Sequence, residues 1–244
     1  MKIAGYLKTS LLDWPGEVSS VMWTQGCNFA CPFCHNRDLI TLKRKDVVGE
    51  EEVIKSLKQR KKWITHLVIT GGEPMLQTDL VEFCQKIKAM GFKIKLDTNG
   101  SKPKVVRKLI SLNLVDFWAM DIKTDFKNYQ LAVNSGKKNL ELVKDIQKSM
   151  KLIVKSGKDF EFRTTVVPGM HDVEIMKKMG EEIKKIMGSP ARSFAAMAGR
   201  WTWQKFVGRN CVDPKFDKME GISKREIERW RKGVGVKIDL RGWV

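Results

Sequence analysis

The sequence predicts an α/β fold, a parallel sheet curled into a partial (β/α)6-type barrel within a single domain. Three observations lead there. Short β-branched runs alternate with amphipathic helical stretches about five times. No linker-like stretch interrupts that alternation over 244 residues, a length common for one parallel α/β unit. Polar, turn-forming signatures stand directly behind four of the strands, where parallel α/β folds place their chemistry.

Residues 1–16 read as an irregular lead-in with a Pro15-Gly16 turn. Residues 18–24 (VSSVMWT) mix β-branched and apolar side chains, as a buried strand does. A helix over 50–62 gathers Val53, Ile54 and Leu57 on one face, while Lys58, Arg60, Lys61 and Lys62 form a solvated basic run. The second strand, 66–70 (HLVIT), ends in Gly71-Gly72-Glu73-Pro74. The helix over 79–90 carries Leu80, Cys84 and Ile87 at i, i+4 and i+7. The third strand, 93–97, ends in Thr98-Asn99-Gly100, and Pro103 suits the first turn of a helix burying Val106, Leu109 and Ile110. The fourth strand is 116–121 (DFWAMD). A helix over 139–155 aligns Val143, Ile146, Met150 and Ile153 and stops at Gly157. The fifth strand, 160–167, closes on Pro168-Gly169, and the helix over 172–187 carries the stripe Ile175, Met179, Ile183, Ile186. Beyond Gly188 the periodicity weakens. A sixth strand at 201–206, a helix at 223–232 with a Ser223/Glu226 capping box and a terminal strand at 236–240 complete the reading. The expected domain is 1–244, with its core at about 17–206 and a helix and strand in 207–244.

The net charge is +18, from 46 Lys+Arg against 28 Asp+Glu. Such a surplus favours polyanions, RNA among them, or an acidic protein surface, set against the plainer reading of a lysine-rich solvated surface. No apolar run approaches a membrane span, and the first residues lack the apolar core of a signal peptide. Five cysteines, three of them in one loop, argue against a disulfide framework and for a reducing compartment. The expectation is a cytoplasmic protein with no membrane partner.

The chemistry concentrates in residues 26–36, GCNFACPFCHN, where Cys27, Cys31 and Cys34 are spaced C-x3-C-x2-C. Thiolates are soft anionic ligands suited to iron–sulfur clusters and zinc. Three of them leave one iron of a cubane without a protein ligand, free to hold a substrate or cofactor. A zinc site would need a fourth donor, and His35, adjacent to Cys34, strains tetrahedral closure. Gly71 and Gly72 let backbone approach a ligand closely, and Glu73 can accept from an ammonium group. Asp97 and Asp121, each at a strand end, would stand close together. Two carboxylates repel unless a cation lies between them or one takes a proton, and a bound cation with hard oxygen ligands resolves this. Lys123 lies two residues past Asp121, on its side of a continuing strand, where it can neutralise a ligand carboxylate. Cys84 reads as core, Cys211 as an unremarkable loop thiol and His66 as structural. His171, after a Pro-Gly turn, is a candidate to line the site. Trp201, Trp203 and Trp230 can stack on a base, although core or interface packing is the commoner use.

KTSLLDWPG, TQGCNFACPFCHNRDL, GGEP, LDTNG, AMDIK and RTTVVPG follow one another between about Gly5 and Gly169. In that order they resemble the radical S-adenosylmethionine (SAM) enzymes that activate glycyl radical enzymes, a group including the activases of anaerobic ribonucleotide reductase and of pyruvate formate-lyase. The resemblance implies a barrel of the radical SAM kind. It implies that Cys27, Cys31 and Cys34 hold a catalytic 4Fe–4S cluster, with SAM on the fourth iron. Phe33 would lie by the adenine, and Gly71, Gly72 and Glu73 would hold the methionyl amino group. Asp97, Thr98, Met120 (through its carbonyl) and Asp121 would form a monovalent-cation site beside the SAM carboxylate, and Lys123 and Arg163 would contact SAM. The implied partners are a glycyl radical enzyme, an anaerobic ribonucleotide reductase, and a low-potential electron donor. A radical SAM enzyme modifying tRNA and a zinc-bearing nucleic-acid-binding module without catalysis are the competing readings. Residues 188–200 match no family pattern.

Overall fold

Parallel strands joined by helices put every strand's carboxyl end on one edge, and that edge carries the site. The computed structural model describes residues 1–40, 47–188 and 199–243. The strands are β1 (Ile3–Trp14), β2 (Glu17–Thr24), β3 (His66–Gly71), β4 (Lys93–Thr98), β5 (Phe117–Asp121), β6 (Asp159–Val166), β7 (Arg200–Lys205) and β8 (Ile238–Arg241). The helices are α1 (Glu50–Arg60), α2 (Leu80–Ala89), α3 (Pro103–Ser111), α4 (Tyr129–Val133), α5 (Asn139–Lys155), α6 (Val173–Met187) and α7 (Lys224–Lys232). Strand order in the sheet is chain order, β1 to β8. From β2 to β8 every neighbouring pair is parallel, and no pairing of β1 with β8 closes the sheet among the described residues. The barrel is partial, as expected, and β8 extends it by one strand beyond six. Residues 189–198, most of the stretch matching no family pattern, lie outside the described residues.

The lead-in is the main correction. Residues 1–16 are not irregular: β1 pairs antiparallel with β2 from Ile3 opposite Thr24 to Trp14 opposite Glu17. Register shifts fall between Ile3 and Gly5, Leu7 and Ser10, and Ser10 and Trp14. Each shift breaks the period-2 alternation, so the stretch does not read as a strand. It is also an edge, with Leu11 and Leu12 left 73% and 88% exposed. Its last residue has a definite task. Trp14 is buried against His66, with ring centroids 4.6 Å apart edge to face, and against Phe117 at 6.0 Å. His66 and Phe117 open β3 and β5, so Trp14, with Val21, Val68 and Ala119, plugs the amino-terminal end of the barrel.

The helices cover the outer face with the residues their periodicity selected. Leu57, Ile87, Leu109, Ile146, Met150 and Ile183 are fully buried against Met22, Ile69, Leu96, Trp118 and Phe162 of the strands. Cys84 is part of this core. On β7 the alternation points Trp201 and Trp203 to the helices, where both are buried and the Trp201 indole donates to Thr164 Oγ1 at 2.9 Å. Trp230 is buried on α7. None of the three rings is presented to a nucleic-acid base. Helix α4 had no sequence signal, because five residues are too few to show a period.

Trp14→Ala is expected to cost about 3–5 kcal/mol in chemical denaturation, whereas Leu12→Ala should stay within about 0.5 kcal/mol. Equal effects would contradict the plug.

Candidate active site

The cysteine loop leaves β2 and is fixed from several directions. Gly26 N–H donates to Leu39 C=O (2.7 Å), Cys27 N–H to Ile40 C=O (3.2 Å) and Ala30 N–H to Val133 C=O at the end of α4 (2.9 Å). From the far end of the chain, Val212 N–H donates to Cys34 C=O (3.1 Å) and Asp213 N–H to Pro32 C=O (2.9 Å). The C-terminal region therefore braces the loop, a role the sequence did not reveal. Cys211 is buried beside this brace, with its Sγ 3.9 Å from the Arg209 carbonyl, and it does not line the cavity over the three loop cysteines.

Cys27, Cys31 and Cys34 line one cavity of about 310 Å³ together with Phe33, His35, Gly71, Gly72, Asp97, Thr98, Asp121, Lys123 and Arg163. Burial pushes the Cys27 thiol up to about 11 and Cys31 up to about 12. Both stay protonated until a metal displaces the protons. Among the described residues, no three His, Cys, Asp or Glu side chains converge tightly enough to hold a single metal ion. The zinc cage of three cysteines and His35 is not formed. A cubane distributes its cysteines over separate irons, so three thiols lining one shared cavity suit its donor chemistry.

Gly71 and Gly72 are required where β3 meets the stem of the cysteine loop. Gly71 has φ +124°, and a Cβ there would strike the Thr24 backbone; one at Gly72 would strike the Gly26 carbonyl. Without those atoms, Gly72 N–H reaches Thr24 C=O (2.9 Å) and Glu73 N–H reaches Gly26 C=O (2.8 Å). Glu73 itself is fully buried. Its Oε1 accepts from Thr98 Oγ1 (2.8 Å) and Met75 N–H (3.1 Å), and its Oε2 from Asn99 N–H (2.7 Å). Burial pushes its carboxyl up to about 7 against the pull of those bonds. The carboxylate joins the β3 and β4 loops and is not among the side chains lining the cavity, whereas the resemblance assigned it to a ligand ammonium group.

Asp97 is the last residue but one of β4, Asp121 ends β5, and Arg163 on β6 is registered beside Asp121. Arg163 Nη1 donates to Asp97 Oδ2 (2.8 Å) and its Nε to Asp121 Oδ1 (2.9 Å). Lys95 Nζ donates to Asp97 Oδ1 (2.6 Å), and Lys123 Nζ to Asp121 Oδ2 (2.8 Å). Burial by itself would raise both carboxyls. Arg163, with Lys123 on one and Lys95 on the other, outweighs it and holds both below the usual carboxylate range. The cation between the two carboxylates is thus a guanidinium from this chain. Another expected ligand of a bound ion is engaged too. Thr98 Oγ1 donates to Glu73 and accepts from Gly100 N–H (3.0 Å); the Met120 side chain packs against Gly100, which leaves the role of its carbonyl untouched.

His171 does not line the cavity. Its Nδ1 accepts from Val167 N–H (2.9 Å) and its Nε2 meets Lys123 C=O at 2.9 Å. Burial lowers its pKa, so the neutral ring donates from Nε2 and holds the Lys123 backbone from behind. Lys95 and Asn99 also escaped the sequence reading. Asn99 sends Nδ2 toward Cys27 Sγ (4.0 Å) and Asn28 Oδ1 (3.1 Å). The available signal was position: Lys95 stands two residues before Asp97 and so on the same face of β4.

Asp121 has its folded pKa depressed, so its stabilising contribution is complete above the ordinary carboxylate value and is lost as pH falls through the folded value. Asp121→Asn should therefore be less stable than the wild type at pH 7, by on the order of 3 kcal/mol. The gap should shrink below pH ~4 in acid titrations of stability. A gap that does not depend on pH would contradict the ion-pair assignment.

The Radical SAM superfamily profile matches residues 21–180. MJ1227 of Methanocaldococcus jannaschii, placed by its name among glycyl-radical enzyme activating enzymes, is 30% identical over 238 residues, 97% of this chain and 93% of its own. A pyruvate formate-lyase-activating enzyme of Clostridium pasteurianum is 28% identical over 183 residues, 72% of this chain and 73% of its own. SuiB of Streptococcus suis, solved with its precursor peptide SuiA, superposes with a TM-score of 0.66 at 14% identity, covering 91% of this chain and 48% of SuiB. The chain thus spans about half of that protein. QueE from Escherichia coli gives a TM-score of 0.55 at 13% identity over 98% of this chain and 93% of its own. These two share the fold. The profile match over most of the sequence and the near full-length relative at 30% identity establish the family: the chain belongs to the radical SAM superfamily, among its glycyl-radical enzyme activating enzymes, which use a 4Fe–4S cluster and SAM.

Proposed function

We propose that this protein installs a glycyl radical in a partner enzyme, an anaerobic ribonucleotide reductase, using a 4Fe–4S cluster on Cys27, Cys31 and Cys34 and SAM in the adjoining cavity. One observation carries the reading. The three cysteines face the same cavity as the Gly71-Gly72 backbone and the Asp97–Arg163–Asp121–Lys123 cluster. When bound, the reduced cluster and SAM supply a carbon radical able to take a hydrogen atom from a glycine α-carbon.

The protein's own residues bind, orient and exclude. Cys27, Cys31 and Cys34 would hold the cluster by three of its irons, with no fourth protein thiolate among the residues lining that cavity. Lys95, Lys123 and Arg163 set three positive charges against the two carboxylates of Asp97 and Asp121, and the surplus charge suits a ligand carboxylate. Phe33, buried at the cavity wall, offers a ring to the adenine. His171 fixes the backbone that carries Lys123. The Trp14 plug packs the barrel's lower end with apolar side chains. A low-potential electron donor is the second partner. The basic surface, at +18, suits an acidic protein face. Five free cysteines fit a cytoplasmic location. Among the described residues, no helix is long and apolar enough to cross a membrane.

Anaerobic reconstitution should load about four irons and four sulfides per chain, and Cys31→Ala should lose both the cluster and SAM cleavage. Mixing the reduced protein with SAM and the reductase should give the paramagnetic doublet of a glycyl radical on the reductase. SAM cleavage that requires tRNA, with no radical on the reductase, would select the RNA-modifying reading. One bound zinc and no cleavage would select the nucleic-acid-binding module.

A further inference from the structure

We infer that the buried Lys95 and the half-buried Arg163 are a built-in replacement for a metal cation at the Asp97/Asp121 pair, so that this protein binds SAM without a monovalent ion. All four carboxylate oxygens of the pair already accept from a charged donor. Lys95 takes Asp97 Oδ1, Arg163 takes Asp97 Oδ2 and Asp121 Oδ1, and Lys123 takes Asp121 Oδ2. One neutral oxygen next to them, Thr98 Oγ1, is bonded to Glu73 and Gly100. A potassium or sodium ion needs several such oxygens at once, and here it would also stand among three protonated side chains.

Lys95 is what makes this arrangement fixed. Lys123 sits at the cavity and Arg163 lines it, so either could turn toward a ligand. Lys95 has no such freedom. It lies on the inward face of β4 with 1% of its surface exposed, and its ammonium group is 5.9 Å from the Phe117 ring centroid. Leaving Asp97 would strand its charge in the barrel interior. Lys95 is therefore a positioning residue, and it decides which cation the aspartate pair accepts.

The test compares cluster-free protein in potassium, sodium and tetramethylammonium chloride at equal ionic strength. Wild-type melting temperatures should agree within about 1 °C, while Lys95→Met, and Lys95→Gln as a second variant, should gain about 3 °C or more in potassium or sodium over tetramethylammonium. In reconstituted protein, wild-type SAM affinity should be the same in all three salts. Potassium should raise SAM affinity about fivefold or more in the Lys95 variants. Wild type stabilised by potassium or sodium over tetramethylammonium would overturn the proposal, as would variants indifferent to the ion. The affinity arm rests on the SAM reading above and the melting arm does not. A chain that passes the melting arm but binds no SAM would refute that reading and leave standing only the replacement of the metal cation by Lys95 and Arg163.

Discussion

A guanidinium held between two half-buried aspartates ties together the ends of three neighbouring strands. Arg163 reaches from β6 to Asp121 on β5 and to Asp97 on β4, and Lys95 and Lys123 close the row at either side. Buried ion pairs add little net stability, because desolvation cancels most of the attraction. Breaking one is costly, since it leaves an uncompensated charge inside. The network's value lies in geometry: it fixes where charge sits on the rim and keeps the wall rigid before any ligand arrives.

The cysteine loop obeys the same logic with neutral groups. It is short and has no regular structure of its own, so its backbone must be satisfied by neighbours. Those neighbours come from far apart in the chain: Leu39 and Ile40 just beyond it, Val133 from α4, Glu73 behind β3, and Val212 and Asp213 near the C-terminus. Gly71 and Gly72 permit the closest of these approaches. Glu73 then links that turn to the β4 loop through Thr98 and Asn99. Three thiols, a glycine turn and a charged row are thereby held around one cavity.

Much of this was legible in the sequence where local pattern dictates structure. The strands β2 to β6 and the helices between them, α4 excepted, follow from period-2 and period-3.6 burial, and the motifs after the strands fall on one edge because parallel topology leaves them no alternative. What escaped was set by tertiary contact. The bulges of β1 erased its alternation. Lys95 reads as the polar half of a half-buried strand, yet it is interior because Asp97 on the same face needs it. Glu73 looks like a ligand-facing acid, and its bonding partners appear only when β4 is placed beside β3. Residues 211–213 carry no motif, and their place against the cysteine loop depends on the full path of the chain. The demand for a positive charge between Asp97 and Asp121 was readable, whereas the identity of the charge was not.

The three-cysteine assignment is tested most directly by Mössbauer spectroscopy of protein reconstituted with isotopically enriched iron, recorded with and without SAM. One iron of the cluster should change its isomer shift and quadrupole splitting when SAM is added, with the remaining irons unmoved. A spectrum in which SAM alters no iron would show a cluster with every corner already taken, and the reading of an open iron facing the cavity would be wrong.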